Sequence, residues 1–255
     1  MIPTFLQPFA AELAKYRREK VQITATPRTE HPLSDPLDLK TSKFLGLPFF
    51  PESEKYPLDR EGQPMLLMAQ LNFAEIPHLP GLPKDGILQL YFSVEGWYEE
   101  DAAAIYHDKQ ALESTPMRDF SFLKPSDYEE MPIYKLHTLQ FERAIDHGGS
   151  EDCQFGFRFG DLDFWEFSEQ LTEEQKREFL AYFNAAGHKI GGYADFTQSD
   201  PRDYNRGERN DFHLLQIDMD EEIMFGDSGL AHLFIDPESL QNKDFTKAYF
   251  YWDCC

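Results

Sequence analysis

Two apolar, strand-like blocks recur along the chain in the same order. The first set runs from Lys43 to Phe92: Leu45-Gly46, then Leu66-Leu67-Met68-Ala69-Gln70-Leu71-Asn72-Phe73, then Gly86-Ile87-Leu88-Gln89-Leu90-Tyr91-Phe92. The second runs from His188 to Ile235: Ile190-Gly191, then Phe212-His213-Leu214-Leu215-Gln216-Ile217-Asp218-Met219, then Gly229-Leu230-Ala231-His232-Leu233-Phe234-Ile235. Gly46 precedes Gln70 by 24 positions and Gly191 precedes Gln216 by 25. Matched landmarks at near-equal spacing predict an internal duplication, with half-repeats at about 43–92 and 188–235.

Other segments take their period from the same reading. Ile2, Leu6, Phe9, Leu13 and Tyr16 recur at steps of four and three, which predicts a helix packed as a lid. Val21 to Thr26 alternates as a strand, and Ile133 to Phe141 reads as another. Cys153 to Gly160 alternates most cleanly, with Cys153, Phe155, Phe157 and Phe159 on one face. Thr172 with Gln175 three residues later is a capping box. It opens a helix with Phe179, Leu180 and Phe183 on one side, and Gly187 is expected at its C′ position. Lys247 to Asp253 closes the chain as a strand, while residues 95–132 read as irregular. The expected fold is mainly β, or α+β: a roll-like single domain spanning residues 1–255, with two amphipathic helices.

Charge narrows the partners. The chain carries 46 acidic against 24 basic residues, a formal charge of −22. Such a surface repels phosphate backbones and anionic lipid, so neither nucleic acid nor membrane is expected as a partner. It attracts a basic protein instead. Cys153, Cys254 and Cys255 do not form a disulfide framework, and no charged-then-apolar leader opens the chain, so a cytoplasmic location is expected.

The residues now in hand resemble the YwqG-like family, a bacterial domain of unknown function. The resemblance rests on Gly46-Leu47-Pro48, Leu67-Met68-Ala69-Gln70-Leu71, Leu82-Pro83-Lys84-Asp85-Gly86, His188-Lys189-Ile190-Gly191-Gly192-Tyr193, Leu214-Leu215-Gln216-Ile217-Asp218, Phe225-Gly226-Asp227-Ser228-Gly229 and Cys254. Leu47 and Phe225 depart from the family's usual Gly and Trp. The resemblance implies a roll-like β fold with a duplication, and no established activity, cofactor or catalytic residue.

Candidate chemistry is sparse. Gly226-Asp227-Ser228-Gly229 matches a serine-protease nucleophile tetrapeptide, but no histidine stands in the context that chemistry needs. Asp85-Gly86 holds the same place in the first set, so a strand-entry turn accounts for it. Asp218 to Glu222 lacks the glycine of a calcium loop, and His147 to Cys153 lacks a second ligand pair, so no metal is expected. Gln70 with Asn72, and Gln216 with Asp218, each lie two apart on a strand. They either tie down loop backbone or meet in a cleft between the halves, joined by His188, Tyr193 and Asp227. Trp97 and Tyr98, followed by Glu99, Glu100 and Asp101, form a candidate docking patch or a cover for the core. No catalytic residue and no cofactor is assigned. The favoured function is a non-catalytic acidic module binding a basic protein, as an immunity protein or inhibitor does. A ligand cleft and a Ser228 hydrolase are the alternatives.

Overall fold

The computed structural model describes residues 1–203 and 210–254. Ten strands form one antiparallel sheet: β1 (Arg18–Pro27), β2 (Lys43–Phe44), β3 (Leu66–Asn72), β4 (Ile87–Phe92), β5 (Ala102–His107), β6 (His137–Asp146), β7 (Lys189–Gly191), β8 (Phe212–Ile217), β9 (Leu230–Ile235) and β10 (Tyr249–Asp253). Their order is β10-β9-β8-β7-β1-β6-β2-β3-β4-β5. The long strands β1 and β6 pair from Arg18↔Asp146 to Pro27↔His137 and form the centre. Outward from β6 come β2, β3, β4 and β5; outward from β1 come β7, β8, β9 and β10.

The two arms match in register. Lys43 lies opposite Gln70, and Lys189 lies opposite Gln216. Gln70 then pairs with Gln89, and Gln216 with His232. Each arm carries an irregularity at the corresponding place, between Leu67 and Ala69 in β3 and between His213 and Leu215 in β8. The lysine register makes Gly192, not Gly191, the counterpart of Gly46. A methyl group on Gly46 would meet Asp35 Oδ2 at 2.5 Å, and one on Gly192 would meet Asp146 Oδ2 at 2.6 Å.

Directly paired residues share a sheet face. The inner face carries Phe44, Ala69 and Leu90 from one arm and Leu215, Leu233 and Phe250 from the other, all in one core. The sheet curls around that core until its edges approach: Tyr106 of β5 and Phe245, just before β10, have ring centroids 4.9 Å apart. The result is a nearly closed, barrel-like sheet whose edge strands shield each other. A second, aromatic core lies outside it. There α1 (Ala10–Leu13), flanked by 3-10 turns over Thr4–Phe9 and Ala14–Tyr16, packs with α2 (Phe164–Ser168) and α3 (Glu173–Tyr182) on Phe155, Phe157 and Phe159. A fourth short helix, α4 (Pro237–Asn242), follows β9.

Each arm is pinned by a buried lysine. The Lys43 ammonium donates to Asp35 Oδ2 (2.7 Å) and to the carbonyls of Asp38 (3.1 Å) and Leu47 (3.2 Å). Asp35 Oδ2 also accepts the Leu47 N–H at 3.0 Å. In the other arm, Lys189 donates to Asp146 Oδ2 (3.4 Å) and to the Ala185 carbonyl, and Asp146 Oδ2 accepts the Tyr193 N–H at 3.2 Å. Both lysine side chains are wholly buried. Burial lowers the Lys43 pKa, and it lowers that of Lys189 to about 8, the aspartates opposing it in each case.

Several expectations need correction. Residues 95–132 contain a strand, β5, whose Ala102-Ala103-Ala104 carries no polar alternation to mark it. The strand expected over Ile133–Phe141 begins at His137 and runs to Asp146, because Ile133 bridges Ile223 instead. Cys153–Gly160 is not a strand: Phe155, Phe157 and Phe159 alternate because an extended segment plugs them into the aromatic core. The capping box at Thr172 is present, but α3 ends at Tyr182 and Leu180 is exposed. Gly187 lies beyond the helix end and donates its N–H to Asp218. Four short α-helices stand among the described residues where two were expected.

Lys43→Ala leaves the buried Asp35 carboxylate without its counter-ion, whereas after Lys189→Ala the Asp146 carboxylate keeps Lys20 at 3.6 Å. Lys43→Ala should lower unfolding free energy by about 3–5 kcal/mol in urea denaturation, and Lys189→Ala should lower it by less. Lys15→Ala, which breaks an exposed pair with Glu12, should leave the midpoint unchanged.

Candidate functional site

The paired polar residues of β3 and β8 clasp loops. Gln70 Nε2 donates to the carbonyls of Leu39 (2.7 Å) and Thr41 (2.8 Å), and its Oε1 accepts the Phe49 N–H at 3.0 Å. Asn72 Nδ2 donates to the Lys40 carbonyl at 3.0 Å. Gln216 Nε2 donates to the carbonyls of Ala185 and Gly187, both at 3.0 Å, and its Oε1 accepts the Asp195 N–H at 2.9 Å. Asp218 accepts the Gly187 N–H, and His188 Nδ1 accepts the Asp218 N–H at 2.9 Å. Gln216, Asp218 and His188 therefore come together around residues 185–188.

Gln70 and Gln216 do not meet. Four strands separate β3 from β8, roughly 24 Å along the sheet at the usual strand spacing. Both side chains are buried on the outer face, under their own loops. The cleft expected between the halves is not formed by these residues. Tyr193 lies apart from them, with its hydroxyl donating to the Tyr16 carbonyl (2.7 Å) and the Arg18 guanidinium 4.0 Å above its ring. Asp227 is exposed in the turn bridged by Phe225 and Gly229. Ser228 stands beside it, exposed, with φ +63°, so the tetrapeptide forms a solvent-facing turn.

The acidic–aromatic stretch lies where the sheet edges approach. Trp97 is half-buried against the core, 6.2 Å from the Phe225 ring. Tyr98 is 61% exposed and stands edge-on to Trp252 at 4.7 Å, and Trp252 Nε1 donates to the Tyr98 carbonyl at 3.1 Å. Glu99 is exposed, Glu100 takes a left-handed φ of +60°, and Asp101 pairs with Arg60 at 3.4 Å. A methyl group on Gly226 would touch Trp252 and Cys254, which brings the following Asp227 to the same seam. Trp97 and Tyr98 thus pack on Trp252, with Glu99, Glu100 and Asp101 following them in the chain and Asp227 next to Gly226. Cys255 lies outside the described residues.

The outer faces of the two arms differ in chemistry. In the first arm Leu67 and Tyr91 pack with Phe50 and Met65. Gln89 is saturated there: its Nε2 donates to the Phe49 carbonyl and to Gln70, and its Oε1 accepts the Tyr91 hydroxyl at 2.9 Å and contacts His107 at 2.9 Å. At the matching register positions the second arm has His213 and His232. His213 Nε2 lies 3.2 Å from His232 Nδ1, and the other nitrogen of each ring has no hydrogen-bond partner. Burial, then nearby cationic groups, holds His213 well below its ordinary value and takes His232 to about 3.

Beside them Arg202 lies 4.8 Å from the centre of the Phe234 ring and reaches Asp200 Oδ2 at 2.6 Å and Asp152 Oδ2 at 2.9 Å. Asp152, Cys153 and Asp200 stand close enough to share a metal ion. The guanidinium already bonds to both carboxylates, and burial pushes the Cys153 thiol up to about 12, away from the thiolate a metal needs. The cluster is a buried ion-pair knot.

The histidines were not selected from the sequence because the bulge reverses the alternation. Strict period two from Gln216 puts Leu214 and Phe212 on its face; the register break puts His213 there instead. The readable signal was the pair of buried-block histidines itself, one in each of two neighbouring strands.

The family model described as a domain of unknown function (DUF1963) matches residues 42–254, and the chain belongs to that family. The residues that resemble the YwqG-like family, Gly46 to Cys254, fall within this span. No curated protein matches the chain. Among the described residues no helix is long and apolar enough to cross a membrane.

These histidines make stability depend on pH. Below the ordinary imidazole value of 6.5 the unfolded chain binds protons that the folded chain refuses. Stability is therefore full above that pH and falls as pH drops toward about 4 for His107 and about 3 for His232. The slope should be about 1.4 kcal/mol per pH unit for each histidine. His232→Gln, which installs the first arm's residue, should flatten the fall in urea-denaturation midpoints between pH 6 and 4.

Proposed function

We propose that the protein is a non-catalytic acidic module that captures a basic segment of a protein partner, in the manner of an immunity protein or inhibitor. The observation that carries this reading is the exposed Tyr98 ring against Trp252, set among Glu99, Glu100, Asp101 and Asp227 on a chain of charge −22. Aromatic faces take Arg and Lys by cation–π attraction, and surrounding carboxylates steer the cation in. The seam joins the two arms, so a partner seated there also ties β5's end of the sheet to β10's. Ser228 hydrolysis receives no support from an exposed turn. We further propose that the matched arms descend from one duplicated unit, that this family is the YwqG-like one, and that the protein acts in the cytoplasm. The common register of Lys43–Gln70 and Lys189–Gln216 supports the duplication.

Tyr98→Ala keeps every charge. It should weaken binding of a fluorescent arginine-rich peptide about tenfold in anisotropy titrations at about 0.1 M salt. Raising salt to about 1 M should abolish binding by the wild type. Equal affinity of wild type and variant would show general charge attraction without a site.

A further inference from the structure

We propose that the cavity lined by Arg18, Gln154 and His213 binds a small monocarboxylate, whose apolar part rests on Leu79, Pro80 and Phe212. The cavity measures about 310 Å³, at the lower end of the range that small-ligand sites occupy. It lies where the start of β8 meets β1 and the Leu79-Pro80 turn between β3 and β4, and does not depend on the interaction reading above.

Its cation is fixed in advance. The Arg18 guanidinium stacks 4.0 Å above the Tyr193 ring and donates from Nη1 to Gln154 Oε1 at 2.5 Å. Gln154 is itself held, its Nε2 donating to the Asp211 carbonyl at 3.0 Å. A guanidinium has five N–H groups, and among the described residues Arg18 forms no salt bridge, so a bidentate carboxylate can be accepted without displacing Gln154. The two carboxylates in the lining are engaged elsewhere: Glu19 pairs with Arg143 at 3.6 Å, and Asp211 Oδ2 accepts the Tyr249 hydroxyl at 3.0 Å.

His213 borders the cavity beside the guanidinium. It is 3% exposed, and its Nδ1 has no hydrogen-bond partner. The other arm serves as an internal comparison. Leu67 holds the register position of His213 there, wholly enclosed by Phe50, Met65 and Tyr91. The same scaffold position is packed shut in one arm and polar at a cavity in the other. One guanidinium and one neutral imidazole match a single negative charge; a dianionic phosphate would set its second charge near Glu19 and Asp211.

Ligand-observed NMR titrations with benzoate, hexanoate and benzamide test this on the full chain. At least one carboxylate should bind saturably with Kd below about 1 mM, and benzamide at least tenfold more weakly. Arg18→Gln should lower the carboxylate affinity at least tenfold. His213→Leu, which installs the first arm's residue, should lower it as well. No saturable carboxylate binding up to about 10 mM would overturn the proposal. So would equal affinity for benzamide, or unchanged carboxylate affinity in Arg18→Gln.

Discussion

Two ammonium groups with no access to water govern this structure. Removing such a charge from solvent costs several kcal/mol, so Lys43 and Lys189 are tolerable only if each finds a carboxylate and carbonyls in a fixed shell. Asp35 and Asp146 supply the charge, and loop carbonyls supply the rest. The same carboxylate oxygens accept the N–H groups of Leu47 and Tyr193, so each shell also fixes the chain that leaves β2 or β7. Gln70 and Gln216 continue the hold two residues later, through Phe49 and Asp195. Gly46 and Gly192 are required because a side chain there would strike the aspartate.

From these shells the outer surface follows. The chain after Phe49 delivers Phe50 to an apolar cluster with Leu67 and Tyr91, and the first arm closes. The chain after Asp195 delivers Phe196 to the face of His232, with ring centroids 4.6 Å apart, and then runs to Asp200 and Arg202. The second arm therefore keeps polar groups that the first has replaced by hydrocarbon or saturated with hydrogen bonds. Buried polar groups without partners are rare in stable interiors, and they concentrate where a protein has a use for them.

Much of this was legible in the sequence. The strand blocks at Leu66, Ile87, Phe212 and Leu230 announced themselves by apolar runs, and Thr172-Gln175 by its capping pattern. Gln70 and Gln216 stood out as amides in apolar strands, and the loop-clasping alternative describes their contacts. What escaped reading has physical causes. Lys43 and Lys189 look solvated by residue type; only three-dimensional enclosure makes them buried. Ala102 to Ala104 form β5 by pairing with β4, without a side-chain pattern of their own. Phe155, Phe157 and Phe159 alternate without a ladder, since an extended chain against an aromatic core alternates as a strand does. His213 was placed on the wrong face because a bulge adds one residue that periodicity does not record.

Backbone amide hydrogen exchange at Leu47, Phe49, Tyr193 and Asp195 tests the central claim most directly. All four lie outside the strands yet donate to a buried aspartate or glutamine. They should exchange as slowly as amides within β3 and β8, because only opening of the sheet releases them. Exchange at the rate of an exposed loop amide such as that of Lys84 would show that the lysine-centred shells do not hold these loops, and would contradict the account.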